Sequence, residues 1–207
     1  MAFPLSSTDA RRAVAVAGHR GDEATARAGL GYPSPEVRAS ALGALARIGA
    51  IKQGDLAAGL ADPAPSVRRR TAEIAPDSLG AELAALLADQ AWEVVEMAAW
   101  ALGERGEPDC VATLASTARA HPDPLCRESA VAAIGAIAAR TGCPAERLAD
   151  GLAAVLDALG DRPAVRRRAV LALAPFEGAG VEAALRASLA DRDWQVRQAA
   201  EDLLAGP

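Results

Sequence analysis

A sixfold internal repeat is the feature that most restricts what this 207-residue chain can fold into. Each copy contains a valine, replaced once by cysteine, and this residue is usually followed by arginine. The six anchor positions lie 27 to 39 residues apart and are Val37, Val67, Val94, Cys126, Val165 and Val196. A period of this length is typical of stacked repeat proteins, in which each unit packs mainly on its neighbours.

Small or apolar residues follow every anchor at fixed distances. The fourth position after the anchor holds Ala41, Thr71, Ala98, Ala130, Ala169 and Ala200, and the eighth holds Leu45, Ala75, Leu102, Ile134, Leu173 and Leu204. Offsets of four and eight lie on one face of an α-helix, so each anchor predicts a helix with a buried stripe.

The second and third positions before each anchor carry signals for the start of a helix. Proline stands two positions before four of the six anchors, which suits the first turn of a helix. Trp92 and Trp194 take that position in the other two copies, where we expect them to pack in place of proline. Ser34, Asp123 and Asp193 precede it and are candidate N-caps.

Further apolar-periodic segments alternate with the anchor helices, so each copy predicts a helix, a short turn and a second helix. One more capped helix, at about residues 8–18, precedes the first copy, which gives about thirteen helices. A single helix pair cannot bury its apolar face, whereas a stack can. We therefore expect one domain over residues 1–207, with repeats at about 22–49, 52–76, 78–105, 107–140, 144–175 and 178–205.

The motif D-x-x-x-x-V-R-x-x-A-x-x-A-L-G resembles the HEAT-like repeat, in the short form of the phycobilisome lyases. The copies that carry the resemblance most clearly are YPSPEVRASALGALARIG and DQAWEVVEMAAWALGERG. It implies an all-α solenoid of about six HEAT-like repeats plus one N-terminal helix, stacked as a right-handed superhelix. The copies depart from the motif at Tyr32, His121 and Gly160, which occupy the aspartate position, and at Val95, which replaces arginine.

In HEAT-like folds the arginine after the anchor pairs with the recurrent aspartate as a ladder along the inner turns. The resemblance therefore implies a structural role for the residues at these positions. They are Asp62, Arg68, Asp89, Arg127, Arg166, Asp191 and Arg197.

Eight other residues form a candidate partner-binding surface. Arg69, Arg70, Arg167 and Arg168 stand two and three positions after their anchors, where side chains should point away from the buried face. The third copy departs most from the others, because it places Trp100, Met97, Glu96 and Glu104 on that side of one helix. Tryptophan and methionine are common anchors of binding surfaces, although Trp100 could instead fill a gap left by small neighbours.

Composition excludes several classes of function. The net charge of −5 argues against nucleic acid as the partner, and no apolar run is long enough to predict a membrane span. Three widely spaced cysteines predict neither a disulfide framework nor a zinc site, so we expect a cytoplasmic protein. The Gly142–Pro144 loop, where the repeat spacing is longest, predicts a looser joint that contains an unreactive Cys143.

No enzyme signature stands out. His19 and His121 have no glutamate partner, and phosphate-binding, hydrolase and deaminase motifs are missing, so we predict no catalytic residues, no metal and no cofactor. The sequence favours a non-enzymatic scaffold or adaptor that presents a concave surface to a protein or peptide partner. The alternative is a tetrapyrrole lyase-like accessory protein or a DNA glycosylase-like binder of the same fold. The sequence does not determine the oligomeric state.

Overall fold

The computed structural model describes residues 6–75, 79–106, 108–140 and 145–206, and these residues form helices and turns without a β-strand. The Gly142–Pro144 joint and Cys143 lie outside the described residues. The chain forms two compact units, Met1–Leu79 and Gly80–Pro207. The prediction of one continuous domain stays a prediction, and each unit is described by itself.

The described part of the first unit contains five α-helices, which are α1 Ser7–Arg20, α2 Glu23–Ala28, α3 Pro35–Ile48, α4 Gln53–Leu60 and α5 Pro65–Ile74. Helix α1 packs along α3, and α3 packs along α5. The α1–α3 contact is close because an added Cβ on Gly18 would lie 2.9 Å from the Cα of Ala44. The core of this unit is built from Ala10, Val14, Val37, Ala41 and Leu45, which are fully buried.

The second unit contains eight α-helices among its described residues. They are α6 Gly80–Ala85, α7 Trp92–Arg105, α8 Val111–Ala120, α9 Pro124–Ala138, α10 Ala145–Asp157, α11 Pro163–Ala172, α12 Ala179–Ser188 and α13 Trp194–Ala205. The anchor helices α7, α9, α11 and α13 pack in sequence, each on the next, and the intervening helices lie against them. The described chain therefore has the thirteen α-helices that its periodicity predicts.

The buried stripe follows the predicted offsets closely. All six anchors are buried, and so are all six residues four positions later. Leu204 contradicts the pattern at the eighth position because it is exposed. Helix α13 packs through Val196, Ala199 and Ala200 instead, with Leu203 rather than Leu204 against the same cluster.

Two of the three expected N-caps form. The carboxylates of Asp123 and Asp193 accept hydrogen bonds from the backbone N–H groups of Leu125 and Gln195, whereas Ser34 donates its hydroxyl to Glu36 and caps nothing. The expectation that Trp92 and Trp194 pack in place of proline is wrong, since their side chains are 44% and 65% exposed. Trp92 and Trp194 are the first residues of α7 and α13, and their rings stay partly in solvent although the anchors two residues later are buried.

No helix among the described residues is long and apolar enough to cross a membrane.

Candidate functional site

The arginine after the anchor links consecutive repeats through aspartate. In the first unit Arg38 donates two hydrogen bonds of 2.8 Å to the Asp62 carboxylate. In the second unit Arg166 makes the same two-pronged contact with Asp191, again at 2.8 Å. These side chains are largely buried, and the paired geometry is the strong form of an arginine–carboxylate contact. These arginine and aspartate positions therefore stabilise the packing of neighbouring repeats.

The arginines that follow the anchors also donate hydrogen bonds to the turns that precede their helices. Arg38 donates to the carbonyl oxygens of Tyr32 and Pro33, and Arg68 donates to those of Asp62 and Pro63. Arg197 likewise donates to the carbonyl of Asp191 at 2.7 Å. Because loop carbonyls would otherwise lack partners, one guanidinium fixes both the turn and the neighbouring repeat.

The aspartates fix their own turns as well. The carboxylates of Asp62, Asp89 and Asp191 each accept a hydrogen bond from the backbone N–H two residues later, at 2.8 to 2.9 Å. The hydrogen bond from Arg38 lowers the pKa of Asp62, and that from Arg166 lowers the pKa of Asp191. Both carboxylates are therefore held in the charged form that the arginines bind.

Asp161 is a scaffold residue that the repeat alignment misses. The motif places its aspartate at position 160, where the sequence has glycine. In the structure Arg127 donates hydrogen bonds of 2.6 and 2.8 Å to Asp161 instead, and the pKa of Asp161 is lowered by them. The signal was available in the sequence, since an aspartate stands one residue further along in the same turn.

A groove of about 460 Å³ opens on the second unit between α7, α9 and α11. The helices that frame it approach closely. An added Cβ on Gly103 would lie 2.8 Å from the Cα of Ala133, and one on Gly135 would lie 2.8 Å from that of Ala172. Both glycines stand nine positions after their anchors and both alanines stand seven after theirs, so the two contacts have the same register. Equivalent positions on the three helices therefore face the same side.

Trp100 forms one wall of this groove. Its side chain is 48% exposed although it is flanked by the rest of α7 and faces α9. The floor is made by the small residues Ser129, Ala132 and Ala136 of α9, which leave the face of the unit uncovered. About half of Trp100 is covered by its neighbours and about half remains in solvent. Met97 is half-buried and lies beside the groove without lining it.

Carboxylates surround the tryptophan. Glu96 and Glu104 lie one turn before and one turn after Trp100 and line the same groove, and neither forms an ion pair with any described residue. Arg140, which follows the end of α9, donates from its guanidinium to the backbone carbonyl of Glu104. The acidic charge of the α7 edge is therefore available to a ligand.

The opposite edge of the groove carries arginine. Arg168 of α11 lines the groove and donates to the Glu128 carboxylate at 3.4 Å, a long contact between partly exposed side chains. The neighbouring Arg167 is exposed and forms no ion pair with a described residue. It lines a second shallow depression, between α11 and α13, with Leu171, Trp194 and Asp202. The face thus changes from acidic to basic between α7 and α11.

Arg69 and Arg70 belong to the first unit, so the groove is built without them. Arg70 lies across Gly43 of α3, where an added Cβ would be 3.0 Å from its guanidinium, and it donates to Glu73 at 2.9 Å. An arginine held this way within its own unit is not the free charged flank that the sequence suggested. Arg69 is exposed on α5.

The chemistry-bearing residues elsewhere are accounted for by packing. Cys126 is fully buried at its anchor position, and burial raises the pKa of its thiol to about 11, so its reactive thiolate form is suppressed at neutral pH. The Nδ1 atom of His121 accepts a hydrogen bond from the backbone N–H of Asp123 at 3.1 Å. No cluster of three metal-ligating side chains occurs within the described ranges.

Comparisons with known proteins show the class of fold to which the chain is similar. Residues 80–159 match the family of HEAT repeats. A designed armadillo repeat protein in complex with the peptide (KR)4 is similar over 91% of this chain and 98% of its own, with a TM-score of 0.64 and 19% identity. A second designed armadillo repeat protein covers 98% of this chain and 94% of its own, with a TM-score of 0.54 and 19% identity.

A third solved structure, of computationally designed armadillo repeat proteins for modular peptide recognition, covers 96% of this chain and 91% of its own, with a TM-score of 0.53 and 21% identity. No curated protein matches the sequence. The chain thus has the all-α repeat fold of armadillo and HEAT repeat proteins. More particularly, its residues 80–159 match HEAT repeats, which agrees with the resemblance in the sequence.

Proposed function

We propose that this protein is a scaffold that binds an extended segment of a partner protein in the groove between α7, α9 and α11. The observation that carries the proposal is the Trp100 side chain, half exposed above a floor of serine and alanine. An exposed tryptophan in a concave site is typical of a binding anchor, since covering its ring removes a large apolar area from water.

The shape of the groove favours a peptide over a compact ligand. It is open along its length, and its floor consists of small side chains between two charged edges. An extended chain fits such a trough because its backbone can lie on the small residues while alternate side chains reach the edges. The similar designed armadillo repeat proteins support the proposal, one being in complex with the peptide (KR)4 and another designed for modular peptide recognition.

Charge favours protein over nucleic acid as the ligand. The carboxylates of Glu96 and Glu104 flank Trp100, and phosphate groups would be repelled by them. The basic residue that lines the groove, Arg168, is already in contact with Glu128. The groove therefore offers little of the phosphate contact on which nucleic-acid affinity depends.

A peptide-display selection tests the proposal. Random extended peptides are selected on the wild-type protein and then counter-selected on Trp100→Ala. We expect enriched peptides that lose at least about tenfold in affinity for the variant, since a tryptophan anchor contributes about 2 kcal/mol or more. Trp92→Ala is the matched control because Trp92 is also exposed, lies on the same helix α7 and does not line the groove. A selection that yields no peptide dependent on Trp100 would reject the groove as the binding site.

A further inference from the structure

We infer that the groove takes a peptide of mixed charge, with an arginine over Trp100 and an acidic residue at Arg167, four or six positions away along the peptide. This inference rests on the proposed function and adds the chemistry and spacing of the ligand. It draws on the two groups of unpaired charge on the face, Glu96 and Glu104 on α7 and Arg167 on α11.

The α7 edge matches an arginine side chain. A guanidinium stacked on the exposed ring of Trp100 would lie between carboxylates one turn above and one turn below it. Arginine stacks on aromatic rings and donates in pairs to carboxylates, whereas the lysine ammonium is a compact and strongly hydrated charge. We therefore expect arginine to be preferred to lysine at this position.

The α11 edge matches a carboxylate. Arg167 is exposed two positions after its anchor, at the offset that Glu96 occupies on α7 and Glu128 on α9. Because the glycine contacts put these helices in equal register, residues at equal offsets point to the same side of the unit. Arg168 beside it is held by Glu128, which leaves Arg167 as the available cation on this edge.

Helix spacing sets the distance between the two charges of the ligand. Packed helix axes lie about 8–10 Å apart, and the glycine–alanine contacts favour the lower value. Two such steps, from α7 to α9 and on to α11, span roughly 16 Å. An extended chain rises about 3.3 Å per residue, and side chains that point the same way are an even number apart. Four or six positions, about 13 or 20 Å, bracket the required distance.

Synthetic peptides test the spacing directly. The protein carries Trp92→Phe and Trp194→Phe, so that Trp100 is its one fluorescent tryptophan. Serine- and threonine-rich peptides of about twelve residues, enough to cross three helices, contain one arginine and one glutamate separated by two to ten positions. We expect the lowest Kd at four or six positions and about tenfold weaker binding when citrulline replaces arginine. Replacing arginine with lysine should weaken binding about threefold.

Reversing the charge on the protein gives the sharper result. Arg167→Glu should change the preferred ligand to one with two arginines at the same spacing. Glu96→Arg with Glu104→Arg should change it to one with two acidic residues. The double substitution Glu177→Gln with Glu201→Gln alters exposed glutamates that do not line the groove and should leave the preference unchanged.

The outcomes separate this inference from the proposed function. Trp100-dependent binders from the display selection that lack the arginine–acid spacing would overturn the inference and leave the peptide-binding function standing. Binding of the synthetic peptides that is indifferent to spacing, or unchanged by Arg167→Glu, would also overturn it. A selection without any Trp100-dependent peptide would overturn both. Thermal unfolding of each variant, monitored by circular dichroism, checks that the surface substitutions leave the fold intact.

Discussion

The α3–α5 face of the first unit and the α7–α9 face of the second are built on the same repeat but differ at three positions. In the first, Gly43 is covered by Arg70, which also donates to Glu73 at 2.9 Å. In the second, the equivalent positions hold Trp100, Ser129 and Ala132, and a groove remains open. On the α3–α5 face, Arg70 pairs with Glu73 and covers Gly43. On the α7–α9 face, Trp100 stays exposed beside small residues.

The difference shows which part of the repeat is free to vary. The anchor, the residue four positions later and the arginine–aspartate link occur in both units with the same geometry. Positions two, three and six after the anchor carry different side chains in the two units, while the anchor stays buried in both. The scaffold therefore tolerates either a closed or an open face, and the choice depends on a few exposed side chains.

Acidification is expected to have the largest effect, because it acts on the scaffold of both units at once. Hydrogen bonds from arginine lower the pKa values of Asp62, Asp161 and Asp191. Their stabilisation is complete above the unfolded value of about 3.9 and is lost as the pH falls through the lower folded values. Thermal midpoints measured from pH 7 to pH 2 should therefore decline below about pH 4. Hydrogen exchange that shows loss in only one unit would contradict a shared scaffold.

Removal of one scaffold arginine should cost nearly as much locally. Arg166→Met removes both guanidinium hydrogen bonds to the Asp191 carboxylate and the one to the Asp161 carbonyl, and we expect a loss of about 3 kcal/mol in the free energy of unfolding. Urea denaturation measures it. Arg167→Met is the matched control, since the adjacent side chain is exposed and its loss should stay within about 0.5 kcal/mol. Equal losses in the free energy of unfolding for the two substitutions would contradict the conclusion that Arg166 stabilises the scaffold and Arg167 does not.

The close packing that frames the groove gives the next effect. Gly103→Ala puts a methyl group against the Cα of Ala133, so α7 and α9 must separate, and we expect a loss of about 1–3 kcal/mol. Gly180→Ala meets no atom within 4 Å and lies in α12, where alanine is the better helix former. It should stabilise the protein by up to about 1 kcal/mol. A Gly103→Ala protein as stable as wild type would show that the helices are not in tight contact.

Transplanting the closed face onto the second unit should change stability least. Ser129→Arg with Ala132→Glu copies the Arg70–Glu73 pair onto α9, and exposed pairs of this kind contribute at most about 1 kcal/mol. The new guanidinium should nevertheless lie over Trp100 and protect it from acrylamide quenching. The reciprocal change, Arg70→Ser with Glu73→Ala, should also leave stability within about 1 kcal/mol. Quenching of Trp100 that is unaffected by the transplant would mean that the two faces are not equivalent.

Much of the fold follows from periodicity. The six anchors and their buried stripes predict every anchor helix, because burial at offsets of three and four residues is a local property of the sequence. Asp161 was missed because a turn can present its carboxylate from either of two adjacent positions. Leu204 was wrongly placed in the core because the pattern alone does not say whether another helix covers it.

Less of the candidate site could be predicted from the sequence. Trp100, Glu96 and Glu104 share one strip of a helix, which spacing alone predicts. Whether that strip is covered depends on the next helix, where Ser129 and Ala132 leave it open. Arg70 shows the opposite case, since its position was predicted to be outward but its contact with Gly43 and Glu73 depends on tertiary packing. Whether a helix face is exposed thus depends on the side chains of the neighbouring helix as well as on its own.

The string Val-Arg-Arg-Arg in α11 divides these roles within a single turn of helix. Val165 and Arg166 are buried and hold the repeats together, whereas Arg168 lines the groove and Arg167 lines the depression beside it. Mutations in the last two letters can therefore accumulate with little penalty to folding while they alter what the surface attracts. A repeat arranged in this way is well suited to evolve new specificities, since inheritance of the architecture does not restrict the side chains that meet a partner.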